Sequence, residues 1–327
     1  MRDQGGKVNP EKDEMERKPV LAVVASVVMP GLGQLYNGQP RKGLALFATY
    51  VSLIPILCWI VLQLPEQFLA WGIISAGLVG LSLWVIAIVD AYRSAKRIGQ
   101  RYTLARFNRA YVYISIFLCG KLLIQDPVTD FTKAYLLEIF RVPESSGMLP
   151  SILPGDQIIA DKRFRWSRTN SILHRGDTVV FRYPKDPEFI YIKRVIGLPG
   201  DQIELRETEL IVNGASTRGE EVQSFKNPEL DRLLSNNSAF REQVDGRKYF
   251  SLWKKGEKRD SSRFTVPSGT VFVMGDNRDS SNDSRFFGPV PIGDVVGKLK
   301  QVWLSMSPEF GIRWSRFGVL IDDVQSL

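Results

Sequence analysis

A helical membrane region followed by a mainly β soluble domain is the fold class this chain predicts, on three observations. Residues 43–62 and 68–89 contain no charged side chain, and each run matches the ~20 residues needed to cross a bilayer. From Arg141 onward, short β-type runs separated by Gly, Pro, Asn and Asp replace those blocks. Between the two regions lies a loop carrying Arg93, Lys96, Arg97, Arg101, Arg106 and Arg109, with no acid after Asp90.

Residues 1–18 form a polar tail in which Arg2, Lys7, Lys12, Arg17 and Lys18 mix with nearly as many acids, so its side of the membrane stays open. The uncharged run 19–37 is broken by Pro30-Gly31-Leu32-Gly33, which allows either a short span or a hairpin entering and leaving on one side. With the two full spans it makes a multi-span module over 19–92. The basic loop 93–109 is cytoplasmic by the positive-inside rule, whereas the loop 63–67 has no Lys or Arg and is not. Residues 110–125, apolar apart from a snorkelling Lys121, then run outward, and residues up to 140 link to the soluble part. In that linker Phe131, Tyr135, Leu136, Leu137, Ile139 and Phe140 can either pack the domain or hold its edge to lipid. Everything after about Asp126 lies on the trans side.

The trans-side domain, 141–327, has candidate strands at 157–160, 178–181, 190–196, 203–206, 210–212, 270–274 and 297–303, and Asn213-Gly214 marks a hairpin. No long helical period intervenes, which predicts packed or closed antiparallel sheets. A polar stretch at about 218–263 reads as an inserted surface subdomain or a long hairpin.

The net charge of +8 suits anionic headgroups. Nucleic acid is excluded as a partner because much of the excess sits beside the membrane and no zinc-ligand or RNA-binding motif appears. Cys58 and Cys119 both fall in membrane segments, so the exported domain has no cysteine for a disulfide. Residues 19–37 lack a clear small-x-small site, so no cleavable leader is expected.

Lys193 lies in Tyr191-Ile192-Lys193-Arg194-Val195-Ile196, followed by a Pro-Gly-Asp turn. A lysine held against apolar surface has its charged form disfavoured and can act as a general base. Strand lysines ordinarily point to solvent, which is the competing reading. The single histidine, His174, sits in a polar turn, where a solvated side chain is expected, so Ser-His-Asp catalysis has little support. With one histidine and no exported cysteine, no metal or other cofactor is implied.

Three segments converge: Phe140 to Asp156 with Val142-Pro143-Glu144-Ser145-Ser146-Gly147-Met148-Leu149-Pro150, the Lys193 run, and Met274-Gly275-Asp276-Asn277-Arg278-Asp279-Ser280-Ser281-Asn282-Asp283-Ser284-Arg285. Together they resemble the type I signal peptidases, membrane-bound serine proteases with a Ser-Lys dyad and an antiparallel β fold. The resemblance covers roughly 141–321 without the polar insert. It implies that Ser281 hydrogen-bonds the dyad lysine, that Asp283 and Arg285 support the site as an ion pair, and that Met148 lines the substrate pocket.

The first motif departs from the family's Pro-Ser-x-Ser-Met-x-Pro-Thr. Counting back from Met148 puts Gly147 at the nucleophile and Ser145 at the oxyanion-hole serine. Counting forward from Val142-Pro143 puts Ser146 at the nucleophile, with Gly147 as a one-residue insertion and Glu144 in place of the oxyanion-hole serine. The second register is preferred, with Ser145 as fallback nucleophile. What the resemblance implies is removal of signal peptides from exported preproteins near the translocation machinery, by a multi-pass inner-membrane enzyme with its catalytic domain on the periplasmic side. The rival is an inactive homologue that binds signal peptides or scaffolds export components. The module 19–90 departs from the family's one or two anchoring spans.

Overall fold

The computed structural model describes residues 14–98, 102–103, 107–143, 147–163, 173–307, 309 and 311–322. Two compact units result, Met1–Val61 with Ile73–Thr132, and Leu62–Gly72 with Lys133–Leu327.

In the first unit, α1 (Pro19–Val28) begins on a proline, whose missing N–H costs nothing at a helix start, and α2 (Leu32–Tyr36) follows after a short turn. The turn depends on glycine. Gly31 sits at φ +98°, and a Cβ there would stand 2.1 Å from the Gly43 carbonyl oxygen. The segment folds back on itself, so that its ends meet: Lys18 N donates to Tyr36 Oη at 3.1 Å. The Arg17 guanidinium lies 4.5 Å from the Tyr36 ring centre and 3.9 Å from that of Tyr102. Beside it, β1 (Glu14–Met15) pairs antiparallel with β2 (Tyr102–Thr103), which ties the N-terminal segment to the basic loop.

The long helices are α3 (Pro40–Val61), α4 (Leu69–Ile98) after a 3-10 turn, and a continuous helix made of α5 (Ala110–Gly120), the π-helical turn Lys121–Gln125 and α6 (Asp126–Tyr135). Each is long and apolar enough to cross a membrane. The fourth apolar segment therefore runs on to Tyr135 rather than ending near 125. Small residues let helices approach: a Cβ on Gly33 would stand 2.1 Å from Ser26 Oγ and 2.8 Å from Ala91 Cβ. Some polar groups inside the unit are satisfied locally, although Ser26 Oγ, Gln34 Oε1 and Asn37 Oδ1 are buried without a hydrogen-bond partner among the described residues. Gln34 Nε2 donates to Ala87 O and to Asp90 Oδ2, Asn37 Nδ2 donates to Ala91 O, and Lys42 pairs with Asp90 at 2.6 Å.

The second unit is mainly antiparallel sheet. Its strands in chain order are β3 (Leu137–Arg141), β4 (Asp156–Asp161), β5 (Thr178–Tyr183), β6 (Asp186–Gly197), β7 (Gln202–Arg206), β8 (Glu209–Val212), β9 (Ala215–Ser216), β10 (Arg218–Val222), β11 (Asn237–Val244), β12 (Arg247–Lys254), β13 (Ser262–Thr265), β14 (Thr270–Met274), β15 (Val290–Pro291), β16 (Val295–Ser307) and β17 (Gly311–Ile312). Among the described residues the main sheet runs β15-β14-β6-β5-β16-β4-β3, with β17 on β16, and two smaller sheets run β13-β7-β8-β9 and β10-β11-β12. Strands central to the main sheet are buried on both faces: β5 hides Val179, Val180 and Phe181 completely.

The polar insert holds the three-stranded sheet β10-β11-β12, of which β11–β12 is a long hairpin, and its inner face is core. Phe240, Tyr249 and Trp253 are buried in one cluster with Ile196, Ile203 and Met274. Glu242 on that hairpin receives a hydrogen bond from Tyr249 Oη at 2.9 Å and pairs with Arg278 at 2.6 Å. Another piece of the unit comes from far away in sequence. In the loop Leu62–Gly72, Ala70 N donates to the buried Gln301 Oε1 at 2.7 Å, Lys300 pairs with Glu66, and Trp71 packs edge-on against Phe317. Of the interfacial linker, Leu136 is buried, while Phe131, Tyr135 and Ile139 remain exposed.

Candidate active site

Lys193 and Arg194 leave β6 on opposite faces, and both are buried. β6 is held on one side by β5, where Val179 faces Lys193, and on the other by β14, where Met274 faces Arg194. Lys193 has no hydrogen bond or ion pair among the described residues, and its Nζ lies 5.8 Å from the Tyr191 ring centre. Burial pushes its ammonium below the ordinary value of 10.5. The Asp283 and Asp276 carboxylates pull the other way, and Arg285 adds to the downward push. A buried lysine without a carboxylate in contact is what proton acceptance requires.

Arg194 does the opposite job. Its Nε and Nη2 grip Asp276 at 2.9 and 2.8 Å, its Nη1 donates to Gly176 O, and Ser151 Oγ donates to Asp276 Oδ2 at 2.5 Å. This pair fixes the loop after β14. On that loop Asp283 is fully buried. It accepts from Gly275 N at 3.0 Å and from Arg285 Nε and Nη2, each at 2.8 Å, so the expected ion pair is formed, and Arg285 also donates to the Arg278 carbonyl. Ser281 is buried close to the lysine, but its Oγ has no hydrogen-bond partner among the described residues and is turned toward Gly275. The expected bond from Ser281 to Lys193 is not made.

Ser145 and Ser146, the two nucleophile candidates, and Glu144 lie outside the described residues. Their neighbour Gly147 packs against the loop after β14. Its carbonyl accepts from Asn277 N at 3.2 Å and lies so close to Gly275 that a Cβ on Gly275 would stand 2.3 Å from it. A Cβ on Gly147 itself would stand 2.9 Å from Lys193 Nζ and 3.6 Å from Ser280 O. Gly147 therefore lies directly over the lysine. Met148 is buried and packs with Val142 and Ile152. A cleft of about 370 Å³ opens beside the lysine, lined by Val142, Met148, Ile152, Tyr191, Ile192 and Asn282 among others. At its mouth Phe189 and Ile190 are exposed.

His174 is exposed, and its backbone N–H is capped by Asp177 Oδ2 at 2.8 Å. Asp156 likewise caps Leu153 N and holds the buried Arg316. Sequence reasoning passed over Arg194, Asp276 and Ser151. The signal for the first was two adjacent cations in an otherwise apolar strand, since both faces of such a strand are buried.

Because Lys193 is more acidic in the native chain than in the unfolded one, its sign of linkage is fixed. Native protein binds fewer protons between the depressed pKa and 10.5, so stability rises with pH across that window. Lys193→Met removes this term. The variant is expected to melt above the parent near neutral pH, with the gap narrowing as pH approaches 10.5. Parallel thermal scans from pH 6 to 10 check it, and a gap that widens with pH would contradict a depressed lysine.

A family model described as signal peptidase, peptidase S26, matches residues 121–304. A signal peptidase I of Pseudomonas aeruginosa is 34% identical over 196 residues, 53% of this chain and 66% of that protein, just under two thirds of its length. One from Rickettsia typhi is 34% identical over 198 residues, 52% of this chain and 72% of the relative. A crystal structure of a signal peptidase I from Enterococcus faecalis V583 shares 30% identity, covering 39% of this chain and 97% of its own, with a TM-score of 0.25.

Proposed function

The chain belongs to the signal peptidase family, peptidase S26, and on that premise we propose that it removes signal peptides from exported preproteins with a Ser146–Lys193 dyad. The observation that carries this is the buried Lys193, without an ion-pair partner among the described residues and with Gly147 against its ammonium. Ser146 is bonded directly to Gly147. Its hydroxyl attacks the scissile carbonyl while neutral Lys193 takes the proton. The tetrahedral intermediate collapses to a seryl ester as the protonated lysine gives its proton to the departing amine. Water, deprotonated by the lysine, then resolves the ester. With Glu144 where the family carries an oxyanion-hole serine, the loss of that donor costs on the order of 100- to 1,000-fold unless the backbone supplies it. The cleft beside Met148 suits an extended peptide with small residues before the cut, because a large side chain would meet Ile152 and Ile192.

The proposed site is the inner membrane, with several spans and the β domain on the periplasmic side, near the translocation machinery. Two observations support this sidedness. The loop Leu62–Gly72, free of Lys and Arg, packs within the β unit, and the N-terminal strand pairs with the basic loop. The test is incubation of the full chain in proteoliposomes with a model preprotein carrying alanine at the two positions that precede the cut. Cleavage after the second alanine is expected. Saturable binding of an uncut precursor would replace this reading by the binding-only one.

A further inference from the structure

Residues 19–98 lie outside the stretch matched by the family, yet they build a defined concavity. The α1–α2 hairpin, the start of α3 and the end of α5 with the π turn that follows enclose about 400 Å³, lined by Met29, Leu35, Leu44, Phe47, Cys119 and Leu123 among others. Hardly a polar atom faces it. Gly31 and Gly43 clamp the hairpin to α3, since a Cβ on either would lie within 2.5 Å of the other's carbonyl oxygen. On the far wall Gly120 packs against Phe47 and Met29, and the π turn Lys121–Gln125 begins at the next residue.

Leu44 is 67% and Leu123 72% exposed, so the concavity opens on the outer surface of helices long enough to span. What meets that surface is hydrocarbon. At 1.5 Å per residue, the walls extend about 10 Å along α3 from Pro40 to Phe47 and about 12 Å along the last long helix from Ile116 to Ile124. That is most of the depth of one hydrocarbon leaflet, about 15 Å, and α3 and α5 both begin on the side of the basic loop. At the rim, Arg41 follows the wall residue Pro40, is exposed, and has no ion pair among the described residues, whereas Lys42 beside it is committed to Asp90. Arg41 also stands in the first turn of α3, where the helix dipole favours an anion.

We propose that this concavity binds one acyl chain of an anionic glycerophospholipid of the cytoplasmic leaflet, with the phosphate on Arg41. The walls supply the dispersion contacts that an unfilled slot would forfeit, and the arginine selects the headgroup charge.

The experiment uses the full chain, purified in detergent, delipidated, and titrated with spin-labelled phosphatidylglycerol or phosphatidylethanolamine. One equivalent of phosphatidylglycerol per chain is expected to be immobilised. Leu44→Trp and Cys119→Trp, which fill the slot from opposite walls, should each weaken binding at least tenfold. Arg41→Gln should weaken phosphatidylglycerol about fivefold and phosphatidylethanolamine, whose ammonium already offsets its phosphate, by less. Thermal melts of each variant exclude misfolding as the cause. Absence of an immobilised equivalent, or binding indifferent to both tryptophans, overturns the proposal. So does capture of a synthetic apolar signal sequence that phosphatidylglycerol fails to displace, which would assign the slot to substrate.

Discussion

Ser146→Ala and Lys193→Met are each expected to lower the rate of preprotein cleavage on the order of 10⁴-fold, and the double variant is expected to be no slower than either. Non-additivity follows because attack and proton removal are one event: without the base the hydroxyl is a poor nucleophile, and without the hydroxyl the base has nothing to deprotonate. Ser145→Ala should stay within tenfold of the parent. Gly147→Ser is the discriminating variant. Its Cβ would stand 2.9 Å from Lys193 Nζ, close enough to displace the flexible end of that side chain, so a slower enzyme is expected. If the parent is inert and Gly147→Ser cuts, position 147 is the nucleophile's place and the chain is a binding homologue. If Ser145→Ala rather than Ser146→Ala abolishes cleavage, the fallback serine is the nucleophile. Single-turnover cleavage of a labelled precursor separates these outcomes.

Arg194→Met is expected to destabilise the β unit by about 3–5 kcal/mol, the cost of leaving a buried carboxylate without its cation. Arg194 and Asp276 are 0% and 1% exposed, so no water can replace the guanidinium. The substitution also strands the Gly176 carbonyl and removes a cation resting 4.4 Å from the Tyr249 ring centre. In a unit of this size the melting temperature should fall by roughly 10 °C or more. The companion variant Arg194→Met with Asp276→Leu should recover part of the loss, since position 276 then leaves no uncompensated charge. Asp322, the second carboxylate on Arg194, keeps only the Arg247 cation at 3.2 Å among the described residues. A single substitution that melts within 2 or 3 °C of the parent would show that the pair is not desolvated as described.

Much of this was legible in the sequence, for reasons that differ by element. Helices α3 and α4 were readable because the runs 43–62 and 68–89 that make up most of them carry no charge. Strands β4, β5, β6, β7, β8, β14 and β16 were readable because β-branched runs end at glycine, proline or aspartate. Lys193 stood out as a cation in such a run. Its neighbour did not, because Arg194 finds Asp276 82 positions later, and sequence carries no register for that meeting. The insert read as polar because its inner face, Phe240, Tyr249 and Trp253, is spread thinly among charges. One of those charges, Glu242, is itself buried against Arg278. Whether residues 19–37 span or turn back depended on Tyr36 reaching Lys18, a contact that hydropathy does not encode.

The docking of the loop Leu62–Gly72 bears on how a soluble form could be made. A truncation starting at residue 133 would discard Ala70 and Gln67, the partners of a Gln301 side chain that is fully buried. It would also bare Phe317, which Trp71 covers. The protein so obtained would carry an apolar scar beside an amide that has lost its backbone partners in the loop. Splicing residues 62–72 onto the domain through a flexible linker, or replacing Gln301, Trp303 and Phe317 with polar residues, addresses the seam directly.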